Sequence, residues 1–169
     1  MKSNITILCQ VDSFGNTVAK QIADKLDLYF ADINDFLAFN LTASPEEIMR
    51  TCGKEYLDKL EMESVQTVAS FENAIINCPI RLFMNTQNRH ALKDNSLVVY
   101  LKSSIKTFDK YVQSIKDNSK RLELENRKEV FEDYDKMCSR SSEMVIDIKD
   151  FNEKAVLKKT LKVINNYFK

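Results

Sequence analysis

Glycine is almost missing from this chain. Gly15 and Gly53 are the only two in 169 residues, where average usage of about 7% would give roughly 12. A chain so short of glycine cannot build several loops that need positive φ or close backbone approach to a ligand. An excess of one charge is missing too. Lys+Arg and Asp+Glu both number 25, so no net field favours nucleic acid or an acidic membrane surface. No apolar run approaches the ~18 residues that a membrane helix needs, and the N-terminus carries no signal-peptide core. Cys9, Cys52, Cys78 and Cys138 form no Cys-x-x-Cys or Cys/His metal pattern, and read as reduced thiols of a cytoplasmic protein. The one histidine, His90, sits in a polar helical stretch with no Asp, Ser or Cys partner at a readable spacing, and reads as a surface residue. Ser13 likewise lacks an identifiable base, which argues against a hydrolase.

What remains is an ordinary apolar fraction of 44% in a chain long enough for one domain with a real core, residues 1–169. Short, nearly continuous apolar runs at 4–9, 28–31, 73–77, 96–102 and 143–148 predict strands covered on both faces. Helical patterns run at about 15–26, 33–40, 45–51, 54–70, 86–93, 104–116, 121–138 and 151–168. The alternation predicts a three-layer α/β/α fold around a five-stranded parallel sheet. Ser44-Pro45-Glu46-Glu47 reads as a capped helix start with Pro at the first helical position. Asp150 with Glu153 gives a similar start to the last helix. Lys116–Arg121 is the most polar stretch between elements and is the candidate mobile loop or lid.

The run after the first strand, Gln10-Val11-Asp12-Ser13-Phe14-Gly15-Asn16-Thr17, fits half of the phosphate-loop pattern Gly-x-x-x-x-Gly-Lys-Ser/Thr. Gly15 and Thr17 match; Gln10 stands for the first glycine and Asn16 for the lysine. In such a loop backbone N–H groups cradle phosphate, the lysine reaches the β/γ-phosphates and the hydroxyl holds Mg²⁺. Here the helix entry and the hydroxyl are kept while the cation is gone.

In serial order the chain resembles the shikimate kinases, small P-loop kinases of the nucleoside monophosphate kinase class, over nearly its whole length. The resemblance rests on Gln10–Thr17, on Phe30-Ala31-Asp32-Ile33-Asn34-Asp35, on Gly53–Glu61 and on Val98–Lys102. It implies that 33–62 is the former substrate-binding region and 112–124 the lid. It also implies that Thr17 and Asp32 would hold Mg²⁺, with Gly15, Asn16 and Thr17 as a vestigial phosphate loop. Family Asp-x-Asp becomes Asp32-x-Asn34, so the second position can hydrogen-bond but cannot act as a base. The family's substrate-carboxylate arginine falls on Asp58, a like charge in place of a bidentate clamp. Its Gly-Gly-Gly falls on Asn77-Cys78-Pro79, which offers one N–H fewer and bulk near the substrate. In the lid a phosphate-facing arginine could survive at Arg121. A second arginine falls on Tyr134, and the adenine-side arginine falls on Tyr111. Lys20, Arg127 and Arg140 are the residues that could compensate.

Three readings stay open. The first is a catalytically inactive pseudoenzyme with a binding or structural role and no cofactor, binding Mg-ATP only if the nucleotide site is retained. The second is a divergent active small-molecule kinase, an ATP:shikimate phosphotransferase of aromatic amino acid biosynthesis. The third is a protein-interaction module without a small-molecule ligand, using Phe36, Phe39 and Tyr56 near the old pocket. A protein partner, and a monomer or weak homodimer, are the expected associations, with no nucleic acid and no membrane.

Overall fold

The computed structural model describes residues 2–168. Five strands form one parallel sheet: β1 (Asn4–Cys9), β2 (Tyr29–Asp32), β3 (Ala74–Asn77), β4 (Ser96–Lys102) and β5 (Met144–Asp147), in the order β2-β3-β1-β4-β5. Among the described residues ten α-helices accompany them: α1 (Asp12–Leu26), α2 (Ile33–Asn40), α3 (Pro45–Cys52), α4 (Lys54–Ala69), α5 (Ile80–Phe83), α6 (Thr86–Asn95), α7 (Ile105–Ser114), α8 (Asn118–Arg127), α9 (Phe131–Ser141) and α10 (Glu153–Tyr167). The strands alternate between two cores because successive side chains point to opposite faces. Ile5, Ile7, Leu97, Val99 and Leu101 pack against α1, α7 and α10. Leu8, Ile76, Val98 and Tyr100 pack against α4, α5 and α6. The three-layer α/β/α arrangement with a five-stranded parallel sheet is therefore as expected.

Several local readings change. The last helix is capped by Asn152, whose Oδ1 accepts from Ala155 N, while Asp150 accepts from Asn152 N one turn earlier. Lys116–Arg121 is not a free loop: Asp117 caps α8 through Ser119 N and Lys120 N, so helix begins at Asn118. The single helix expected over 121–138 is two, broken by a 3₁₀ turn at Lys128–Val130. That break lets Phe131 bury against Phe108, ring centroids 5.1 Å apart. Phe36 is half-buried against Phe71, leaving Phe39 and Tyr56 as the exposed aromatics of that region. Ser44 caps α3 as expected, accepting from Glu47 N at 3.1 Å. Gly53 links α3 to α4 at φ +89°, a backbone conformation that side chains rarely adopt. Cys9, Cys78 and Cys138 are buried free thiols, and burial pushes the Cys9 thiol up to about 12. Among the described residues no helix is long and apolar enough to cross a membrane.

Candidate functional site

The carboxyl ends of β1, β2 and β3 converge where a parallel sheet places its ligand crevice. The first surprise lies after β1. The run Gln10–Thr17 is not a loop: α1 begins at Asp12, and Gly15 N donates to Val11 O at 3.0 Å in the helical pattern. Gly15, Asn16 and Thr17 therefore lie within α1. Thr17 Oγ1 donates back to Ser13 O at 3.1 Å.

Asp12 stands in the first turn of α1, where a helix N-terminus favours negative charge. Its Oδ1 accepts from Ile80 N at 3.0 Å, and its Oδ2 pairs with Arg127 Nη2 at 3.2 Å. Arg127 also donates from Nη1 to Gln10 O at 3.3 Å and lies over the Tyr134 ring, 5.3 Å from its centroid. Gln10 Nε2 donates to Phe131 O at 2.9 Å. A residue that closes α8 is thus pinned to the end of β1. Burial pushes the Asp12 carboxyl above its ordinary range, against the pull of the Arg127 guanidinium.

A second cluster centres on Asp32, at the end of β2. Its Oδ1 caps α2 by accepting from Asn34 N at 2.7 Å and Asp35 N at 3.2 Å. Its Oδ2 accepts from Asn77 Nδ2 at 2.7 Å and from Asn16 Nδ2. The Asn16 side-chain amide is thus committed to this carboxylate. Gly15 lets α1 approach closely: a Cβ there would meet Cys9 Cβ at 3.0 Å and Asn77 Oδ1 at 3.3 Å. Gly15→Ala is therefore expected to destabilise the fold by about 1–3 kcal/mol through overpacking. Equilibrium urea unfolding checks this, and an unchanged midpoint would contradict the close approach.

Of the residues singled out in sequence, the structure brings Gly15, Asn16, Asp32 and Asn77 together, with Asn34 contributing its backbone. Cys78 and Pro79 are buried, and Pro79 leads into α5, a helix too short to leave a periodic signal. Asp58 lies apart on α4, paired with Lys54 at 2.6 Å on the surface. Arg121 is engaged on its own helix, bonding Asn118 Oδ1 at 3.1 Å, with Glu125 at 3.9 Å. Lys20 and Arg140 are exposed. Tyr111 packs on Phe151, centroids 4.5 Å apart, and Phe151 meets Phe14 edge-on at 5.1 Å.

Two residues carry more weight than the sequence reading gave them. Arg127 brings a cation to the end of β1. Arg81, on α5, makes a bidentate pair with buried Glu61, Nη1 to Oε2 at 3.0 Å and Nη2 to Oε1 at 2.7 Å. The pair joins α5 to α4 across 20 residues of chain. Its only sequence signal is a cation soon after the third strand.

A protein-family model described as shikimate kinase matches residues 16–165, starting just past Gly15. Curated relatives described as shikimate kinase include proteins of Persephonella marina, 26% identical over 133 residues (79% of this chain, 80% of that protein), and Dictyoglomus turgidum, 23% identical over 130 residues (76% of each). Among solved structures, a shikimate kinase from Aquifex aeolicus superposes with a TM-score of 0.76 at 19% identity, covering 97% of both chains. One from Bacteroides thetaiotaomicron gives 0.78 at 14% identity, covering 96% of this chain and 98% of that one.

Proposed function

The chain belongs to the shikimate kinase family, and from that premise we propose that it is a member without phosphoryl-transfer activity, kept in the cytoplasm as a binding or structural protein. One observation carries the reading: the chain's own Asp12 carboxylate stands in the first turn of α1, clamped by Arg127, and a helix start that already holds a negative charge disfavours a phosphate there. A phosphate cradle needs several free backbone N–H groups turned toward the ligand. Here Gly15 N is spent inside the helix, and an incoming phosphate meets a carboxylate. The magnesium residues fit no better. Thr17 lies inside α1 and both Asp32 oxygens are already engaged by four donors. Mg-ATP therefore does not fit the residues present, and no step of phosphoryl transfer is derived through it.

Loss of positive charge points the same way. Phosphoryl transfer rests on positioning and on cations, and one arginine can be worth ~10³–10⁵ in rate. Asn16, Asp58 and Tyr134 stand where the family has cations, and Arg127 is committed to Asp12 and Gln10. As the zero net charge leaves nucleic acid unfavoured, a protein partner is the natural one for the exposed Phe39, Met49 and Tyr56 side chains. The test is an ADP-release assay with shikimate and saturating Mg-ATP, which is expected to stay at background. Turnover above background that Asp32→Ala abolishes would restore the divergent-kinase reading.

A further inference from the structure

A cleft of about 340 Å³ opens between α4, α5 and α6, large enough for a small molecule. One wall carries Asp58 and Glu61, positions that belong to the family's substrate pattern; Arg81 and Asn88 lie outside that pattern. Its charged groups are two cations, Lys54 and Arg81, and two carboxylates, Asp58 and Glu61. Met49, Leu57, Met62 and Leu82 supply the apolar lining. Asn88 is 2% exposed and donates through Nδ2 to Leu82 O at 3.0 Å, yet its Oδ1 is buried with no hydrogen-bond partner. A buried acceptor left unmet costs about 1–3 kcal/mol.

We propose that this cleft binds a small zwitterion of the α-amino acid class with an apolar side chain. An ammonium offers three N–H donors in one group, which match the carboxylates of Glu61 and Asp58 and, once the Asn88 side chain turns toward the cleft, its unmet acceptor. The carboxylate meets Arg81, whose bidentate pairing with Glu61 leaves Nε–H and the outer guanidinium hydrogens available, and whose side chain is 52% exposed. Buried Glu61 fixes the guanidinium, so its donors are oriented before the ligand arrives. The four side-chain charges sum to zero, which suits a ligand of no net charge and disfavours an anion or a cation alone. The two methionines let the apolar part vary in shape. The inference goes beyond the inactive-kinase reading and does not depend on it, since the side chains of this cleft are paired with one another and not with Asp12 or Arg127.

Isothermal titration of the full chain with L-leucine and L-methionine tests it. Leucinamide (a cation), N-acetyl-leucine (an anion) and shikimate serve as controls. Saturable binding of L-leucine or L-methionine is expected, with leucinamide and N-acetyl-leucine at least about tenfold weaker. The paired variant Arg81→Gln/Glu61→Gln, which leaves no lone charge, should weaken binding by more than about tenfold. The half-exposed Asp58→Asn should weaken it with the fold intact, as circular dichroism would confirm. No binding of either amino acid, equal binding of N-acetyl-leucine or shikimate, or binding unchanged in these folded variants would each overturn the proposal. Kinase turnover plays no part in the readout, so its presence or absence leaves this result separate.

Discussion

Asp32→Ala is expected to destabilise the protein by about 3 kcal/mol, the sum of a lost helix cap of about 1 kcal/mol and of buried amide donors stranded at about 1–3 kcal/mol. The carboxylate holds three elements at once. It caps α2 through Asn34 N and Asp35 N, and it receives the side-chain amides of Asn16 on α1 and Asn77 on β3. Truncation leaves both amides facing a gap. At roughly 2–4 °C per kcal/mol for a domain of this size, Tm should fall by about 6–12 °C. Asp32→Asn keeps an acceptor for the cap and should lose about half as much. Calorimetry of both variants checks this. An alanine variant within about 0.5 kcal/mol of the parent, the ordinary effect of a neutral surface change, would mean that the cluster does not hold the crevice together.

Arg127→Ala is expected to cost about 2–3 kcal/mol at neutral pH. Breaking a fully buried pair costs about 3–5 kcal/mol. The discount reflects the 26% exposure of the Asp12 side chain, against 13% for Arg127. The pH dependence gives a sharper readout. Burial raises the Asp12 carboxyl above its ordinary 3.8 in the folded state. The folded protein then holds that proton more tightly than the unfolded chain. Its contribution to stability is full below pH 3.8, is lost as pH rises through the folded-state value, and is level above it. Removing Arg127 takes away the charge that restrains the shift, so the loss continues to higher pH. The gap between parent and variant should widen from pH 4 to pH 7. Asp12→Asn should narrow it again, and a double-mutant cycle should report coupling of about 1–3 kcal/mol. A gap constant with pH would place the weight of Arg127 on Gln10 O and Tyr134 instead.

Sequence made the sheet readable for a physical reason. Strands such as β1 and β4 are buried on both faces, so they read as nearly continuous apolar runs whose bounds match at 4–9 and 96–102. Ser44 before Pro45 was equally legible, because a cap is local. The start of α1 was not. Gly15 and Thr17 suggested a loop, but Asp12, Ser13 and Phe14 can all enter a helix, and Phe14 gains burial beside Phe151 by doing so. Nothing local shows that Arg127, 115 residues away, would steady Asp12 there. Arg81 was overlooked for the same reason, since its partner Glu61 lies 20 residues back on another helix. The departures from the phosphate-loop pattern at Gln10 and Asn16 are legible one residue at a time; the pairs that these side chains make depend on the tertiary fold.

The central claim is that the start of α1 is filled by Asp12 and Arg127 and does not receive a nucleotide. Thermal unfolding in a titration with Mg-ATP and Mg-ADP tests it most directly. A ligand that binds the native state adds about 2.7 kcal/mol at 100 times its Kd, several degrees in Tm. No shift is predicted with either nucleotide, whereas a saturable upward shift that Asn16→Lys strengthens would contradict the claim.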